Sequence, residues 1–280
     1  MKIKILGTAA AEGIPAPFCN CRFCKYSRNH LKYEQRKRSS VLIDNMLLID
    51  MGPDILWNSV SHNILYSNLR VILFSHSHFD HFSVPSLLLC SKEYRITEMK
   101  EPIVLVGSSQ VYDKLINYLD VMGMDKTDFF SNYHFTVANP GEQLMLREYV
   151  IIPIKSTHSK TEQCLMYVIK HDDKAFFYST DTALYNVQET LKELTGGVDL
   201  VLSDCTHGIN SQNFQRIRHM GVDDNIKIYN EMKKNGILKK NSRYILTHFS
   251  HDSMIPSYLM KEYVKRSNME IAYDGMEVVI

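Results

Sequence analysis

The chain has 280 residues, 45% of them hydrophobic and 22% charged, with 32 Lys and Arg against 31 Asp and Glu. That length and mix can bury a large core, and a formal net charge of +1 excludes a global field drawing the chain to nucleic acid or an acidic membrane. No apolar run approaches the roughly 18 to 20 residues of a membrane span, and Met1-Lys2-Ile3-Lys4-Ile5-Leu6-Gly7 alternates as a strand rather than a signal peptide, so the expected location is the cytoplasm.

In chain order, the pattern predicts a strand over 3–8, a long loop carrying Cys19, Cys21 and Cys24, and a hairpin of strands 41–43 and 47–49. A short helix over 55–64, a buried strand over 71–74 and a helix over 85–94 follow, the last opened by Pro85 in its first turn. Then come a strand at 103–106, a helix at 109–119, and strands at 134–137, 143–146 and 150–154. A hairpin of 167–169 and 175–178 turns at His171-Asp172-Asp173-Lys174. The remainder reads as helix 183–194, strand 200–202, helix 223–235, strand 244–246 and helix 258–266. No Pro/Gly/Ser linker interrupts the chain, so 1–280 is expected to form a single domain, and strands mixed with helices in both halves predict two packed sheets with helices outside. From Arg22 to Arg38 seven Lys or Arg face the single Glu34, a basic stretch that reads as a solvated loop rather than a phosphate site.

Ser75-His76-Ser77-His78-Phe79-Asp80-His81 puts four metal-ligand side chains directly after a strand. Imidazole and carboxylate suit zinc, manganese or iron, and such ions generate hydroxide near neutral pH, so the expectation is a metallohydrolase. Further candidates stand at other strand ends: His158 after 151–154, Asp181 after 176–178 and His248 after 244–246. Each alone is as easily a turn residue or cap. Together, at strand ends that can share one crevice, they are expected to complete the ligand set. The CxCxxC of Cys19, Cys21 and Cys24 offers three thiolates for tetrahedral zinc and needs a fourth ligand, commonly histidine. Cys90 and Cys164 read as small buried hydrophobes. His30, His62, His134, His171 and His219 lack metal spacing and read as surface or packing residues.

These residues together resemble the metallo-β-lactamase superfamily and, within it, the phosphoribosyl cyclic phosphate phosphodiesterases of the PhnP family. The resemblance runs from Leu6-Gly7-Thr8 and the cysteine cluster through Ile49-Asp50-Met51-Gly52, the HxHxDH loop, Thr157-His158-Ser159-Lys160 and Asp181-Thr182. It continues through Asp204-Cys205-Thr206-His207 and Thr247-His248-Phe249-Ser250-His251 to Asp274-Gly275-Met276-Glu277. It implies an α+β fold, the αββα four-layer metallo-β-lactamase sandwich. It also implies two divalent ions, Mn²⁺ or Zn²⁺, one on His76, His78 and His158, the other on Asp80, His81 and His248, bridged by Asp181. His207 would protonate the leaving alcohol, with Asp80 the other catalytic residue, and His251 would join Cys19, Cys21 and Cys24 around a structural Zn²⁺. The chain departs from the superfamily pattern at Val84, where a glycine is common.

The expected activity is that of a dinuclear phosphodiesterase opening a small cyclic ribose phosphate, or a similar phosphodiester, by attack of a metal-bridging hydroxide. Alternatives within the superfamily are a tRNA 3′-end-processing nuclease and a lactone, thioester or β-lactam hydrolase; outside it stands a binding module without chemistry. The expected partner is a small phosphodiester, not a membrane or nucleic acid, and assembly as a homodimer stays open.

Overall fold

In the computed structural model, which describes residues 1–97, 99, 101–192, 194–209 and 218–280 (the side chains of Leu31 and Lys32 excepted), the apolar runs assemble into two seven-stranded sheets. The first contains β1 (Lys2–Gly7), β2 (Ser40–Ile43), β3 (Leu47–Ile49), β4 (Val71–Leu73), β5 (Ile103–Gly107) and β6 (Tyr133–Val137). The second contains β7 (Leu144–Leu146), β8 (Tyr149–Lys155), β9 (Leu165–His171), β10 (Lys174–Ser179), β11 (Val198–Asp204), β12 (Leu238–Thr247) and β13 (Glu270–Ile271). The last strand, β14 (Met276–Val279), returns to pair with β1 in the first sheet. In both sheets one part is antiparallel and the rest parallel: β3 through β6 in the first, β10 through β13 in the second.

Period-two alternation sorts the strand residues into layers. On β4, Val71 and Leu73 face the other sheet while Ile72 faces away; on β11, Leu200 and Leu202 face inward and Val201 outward. The outward face of the first sheet is covered by α4 (Val84–Leu88), α5 (Ser109–Val121) and α6 (Lys126–Asn132), which contribute Leu87, Val111, Leu115, Leu119 and Phe129. That of the second is covered by α8 (Val222–Lys234) and α9 (Ser257–Lys265), through Ile228, Met232, Met260 and Val264. The product is the αββα sandwich. Two tyrosine hydroxyls cross between the sheets near one edge: Tyr167 donates to Phe74 O at 2.7 Å and Tyr178 to Asp50 Oδ2 at 2.9 Å.

Some elements differ from the sequence expectation. The cysteine loop contains a helix, α1 (Arg22–Arg28), capped by Cys21 itself, and a further turn, α2 (Leu31–Glu34), follows. Helix α3 (Ile55–His62) ends in a left-handed Asn63. Helix α4 stops at Leu88, short of the expected 94, where Arg95 Nε takes the Cys90 carbonyl at 2.6 Å. Only α7 (Val187–Thr190) forms within 183–194, because Ala183 N is bound by Thr157 Oγ1 and the helix starts at its Asn186 cap; residue 193 lies outside the described residues. Helix α6 and strands β13 and β14 were not expected. Val84 enters the core at the start of α4. The basic stretch is not a solvated loop throughout. Arg36 is buried against Thr8 Oγ1 and Ala272 O, with its guanidinium 4.9 Å from the Phe249 ring, while Lys37 meets Asp274 and Arg38 meets Asp54.

Candidate active site

Parallel strands deliver their carboxyl ends to one edge, which is where open sheets gather ligands. Asp50 follows β3, the His76–His81 loop follows β4, Asp181 follows β10, Asp204 ends β11 and His248 follows β12. Three of these residues, Asp50, Asp181 and His248, have left-handed φ of 61°, 49° and 61°, which turns each side chain sharply out of its strand. Gly52 is required by close approach: a Cβ there would lie 2.1 Å from Asp80 O.

The expected ligands come together. His76, His78 and His158 form one group of convergent nitrogens, with His78 Nδ1 at 2.8 Å from His76 Nε2 and 3.2 Å from His158 Nε2. Asp80, His81 and His248 form a second, in which Asp80 Oδ2 is 3.1 Å from His81 Nε2. Asp181 lies between them, Oδ2 at 3.1 Å from both His81 Nε2 and His248 Nε2 and Oδ1 at 3.8 Å from His158 Nε2. Although buried, Asp181 Oδ2 makes no hydrogen bond of acceptable geometry with the described residues. The outer nitrogens are held from behind: His76 Nδ1 by Ser75 Oγ at 3.0 Å, His81 Nδ1 by Asp50 at 2.7 Å, His158 Nδ1 by Arg218 O at 3.2 Å and His248 Nδ1 by Thr206 Oγ1 at 2.8 Å. An imidazole held at Nδ1 presents Nε2 as ligand, the outer-shell arrangement of histidine metal sites. The orphaned carboxylate oxygen, the convergent nitrogens and the held tautomers all fit a divalent metal site.

The charges follow. Burial alone would depress His81, but the carboxylates of Asp181, Asp80 and Asp50 hold it well above the ordinary imidazole range. His76 is pushed far down by burial and by neighbouring His81. Burial opposes ionisation of Asp181, yet His248 and His81 hold it well below the usual carboxylate range.

His207 is not gathered with the ligands. Its ring stands 5.9 Å from that of His219, centroid to centroid, and burial lowers its pKa. His219, which the sequence suggested was a surface or packing residue, lines the crevice instead, together with His78, Asp80, His158, Asp181 and His248; the crevice encloses about 260 Å³. His219 Nδ1 is 2.9 Å from Asp204 Oδ2 and 3.1 Å from Thr206 Oγ1. Burial works against its cation, but Asp204 overrides this and raises its pKa to about 9. Asp50 and Asp204 carried no assigned role in the sequence, although the strand-end position that flagged Asp181 applies to both.

At the same edge Cys19, Cys21, Cys24 and His251 bring their ligand atoms within 4.8 Å of one another, with Cys21 Sγ 3.6 Å from His251 Nδ1. Burial resists the Cys21 thiolate, but the Cys24 backbone N–H and His251 bring its pKa down to about 6, while burial pushes Cys24 up to about 11. Soft thiolates and one imidazole suit zinc.

Residues 45–249 match the family model described as Beta-lactamase superfamily domain. Among solved structures, the chain is similar to a diphosphatase from the PhnP family (TM-score 0.74, 20% identity, covering 100% of this chain and 97% of that one). It is also similar to Zn²⁺-bound PqqB from Methylobacterium extorquens (0.78, 15%, 100% and 100%) and to the short form of human tRNase Z (0.69, 15%, 100% and 99%). At these identities the likeness is one of fold. An octanoyltransferase of Porphyromonas gingivalis is 33% identical over 85 residues, 29% of this chain and only 16% of that protein. No described helix is long and apolar enough to cross a membrane. With a family model spanning most of its length and the sandwich fold, the chain belongs to the beta-lactamase superfamily, and its histidine–aspartate cluster is suited to a metal.

Proposed function

We propose that the protein is a dinuclear phosphodiesterase acting on a small phosphodiester of the cyclic ribose phosphate type, and that His219, rather than His207, protonates the departing oxygen. The observation that carries this is the Asp204–His219 pair beside Asp181, with His219 lining the same crevice as the ligand groups. His76, His78 and His158 would hold one ion, Asp80, His81 and His248 the other, and Asp181 would touch both; zinc or manganese suits these donors. Ions there lower the pKa of water and neutralise charge on the phosphoryl oxygens. Asp80, beside His81, orients the attacking water. His219 keeps its Nδ1 against Asp204, so the proton it delivers is the one on Nε2, and the neutral imidazole left behind still donates to Asp204. An alkoxide leaves poorly without such a proton whereas a thiolate does not need it, which favours a diester over a thioester. Cys19, Cys21, Cys24 and His251 would hold a structural zinc that ties the N-terminal segment to the site.

A tRNA 3′-end nuclease is the second reading, drawn from the fold shared with human tRNase Z. Against it, Arg36, Lys37 and Arg38 are engaged within the fold rather than offered to a polyanion. Metal-loaded protein assayed on bis(p-nitrophenyl) phosphate, a β-lactam, a thioester and a tRNA precursor separates the readings. Diester turnover that survives His76→Ala unchanged rules out the dinuclear mechanism.

A further inference from the structure

Several crevice residues belong to neither the ligand groups nor the proton donor, and one of them is a carboxylate. Glu12 lines the crevice with its side chain about one-third exposed. Its loop is rigidly presented: Ala10 N donates to Phe249 O at 2.9 Å, Gly13 N to Ala10 O at 3.0 Å, and Ile14 and Arg36 exchange backbone hydrogen bonds of 2.9 Å and 2.7 Å. Glu12 Oε1 accepts the Ser250 hydroxyl at 2.5 Å and the His251 N–H at 3.4 Å. Oε2 has no hydrogen-bond partner among the described residues. One oxygen is fixed and the other remains an acceptor at the crevice wall.

A carboxylate is acceptor-only, and it repels the oxygens of a phosphodiester anion. In a crevice whose ligand groups draw the phosphate, a fixed carboxylate therefore meets the non-reacting part of the substrate, and only a hydrogen-bond donor satisfies it there. The short side chains of neighbouring Ala10 and Ala11, which also line the crevice, leave room for that group. Resting on the phosphodiesterase reading, we propose that Glu12 is a specificity-determining residue that accepts a hydrogen bond from a free hydroxyl of the substrate, selecting diesters that carry such a hydroxyl near the phosphate over those that lack it.

The test uses two esters with the same chromogenic leaving group, 2,3-dihydroxypropyl p-nitrophenyl phosphate and propyl p-nitrophenyl phosphate, on the metal-loaded full chain. The wild type is expected to favour the dihydroxypropyl ester at least tenfold in kcat/KM, about 1.4 kcal/mol, chiefly through KM. Glu12→Leu should bring that ratio close to one, with Glu12→Gln, which keeps one acceptor, in between. Zinc content is measured alongside; if Glu12→Leu loses zinc, Ser250→Ala, which removes the hydroxyl fixing Oε1, should still lower the ratio. A wild-type ratio near one, or a ratio that survives Glu12→Leu or Ser250→Ala, overturns the assignment. Turnover of neither ester by the wild type overturns the phosphodiesterase reading and this inference with it, whereas good turnover without preference overturns only the role of Glu12. A purely structural Glu12 would change zinc content or stability and leave the ratio alone.

Discussion

Replacing Asp50 by asparagine isolates what a buried carboxylate contributes behind a metal ligand. Asp50 is fully buried and receives Ser75 N–H at 2.8 Å on Oδ1, and the Ser75 hydroxyl at 2.9 Å, the Tyr178 hydroxyl at 2.9 Å and His81 Nδ1 at 2.7 Å on Oδ2. Asparagine has nearly the same volume and tolerates the left-handed φ of 61°, so neither a cavity nor backbone strain enters. Its NH₂, however, replaces one acceptor oxygen, and in either orientation a donor faces a donor. The milder orientation sets NH₂ against Ser75 N–H, an unsatisfied buried donor worth about 1–3 kcal/mol. An opposing effect exists: without Asp50, His81 releases its proton more readily, which favours metal. Asp181 and Asp80 act on His81 more strongly than Asp50 does, so this gain is the smaller one. The net expectation is metal binding weakened roughly ten- to a hundredfold, the usual range for an outer-shell partner. Chelator competition near neutral pH measures it, with bis(p-nitrophenyl) phosphate turnover in parallel. An Asp50→Asn protein within about threefold of wild type in both would refute the role given to Asp50 in orienting His81.

The other predictions concern the proton donor, the metal-free state and the cysteines. His219→Asn should slow a diester with an alkoxide leaving group by about 10²–10⁴ and affect a p-nitrophenyl ester much less, while His207→Asn leaves both nearly intact; the reverse pattern in steady-state kinetics restores His207 as the acid. In chelated protein, His219 has its folded pKa raised to about 9 from the ordinary 6.5. Its contribution is therefore complete below about 6.5 and disappears as pH rises through about 9, up to ~3 kcal/mol. Urea unfolding in EDTA should show that fall, and His219→Asn should lessen it, the remainder coming from His81, which is raised in the same sense. Cys21→Ser should lose one zinc per chain by elemental analysis and lower the Tm, and full retention of zinc would remove the structural site.

Much of the sandwich was legible because its central strands are short apolar runs bounded by polar residues. Val71-Ile72-Leu73 and Leu200-Val201-Leu202 are buried on both faces and leave no periodic ambiguity. Glu270–Ile271 and Met276–Val279 were not legible: two to four residues, half of them exposed, become strands only because β12 and β1 offer them an edge. The helix expected from 183 begins late because the active-site edge holds Ala183 through Thr157, a tertiary contact no local pattern carries. The same limit explains the site. The HxHxDH spacing is local and visible, whereas His219 acquires its place from Asp204, fifteen residues away, and from the Thr206 hydroxyl. The basic stretch misleads because its charges are matched by distant partners, Asp54 and Asp274.

Each ligand group draws on both sheets, His76 to His81 coming from the first and His158, Asp181 and His248 from the second, and the Tyr167 and Tyr178 hydroxyls span the interior between them. The apolar layer, about 10 Å thick in packed sheets, is thus a gauge block for the chemistry: its thickness sets how far apart the two halves of the ligand set are held. A repacking substitution deep in that layer, remote from every ligand, would be read out as altered metal affinity as well as altered stability. The interior of this protein is in that sense a tuning element, and its sequence is under a dimensional constraint that burial alone would not impose.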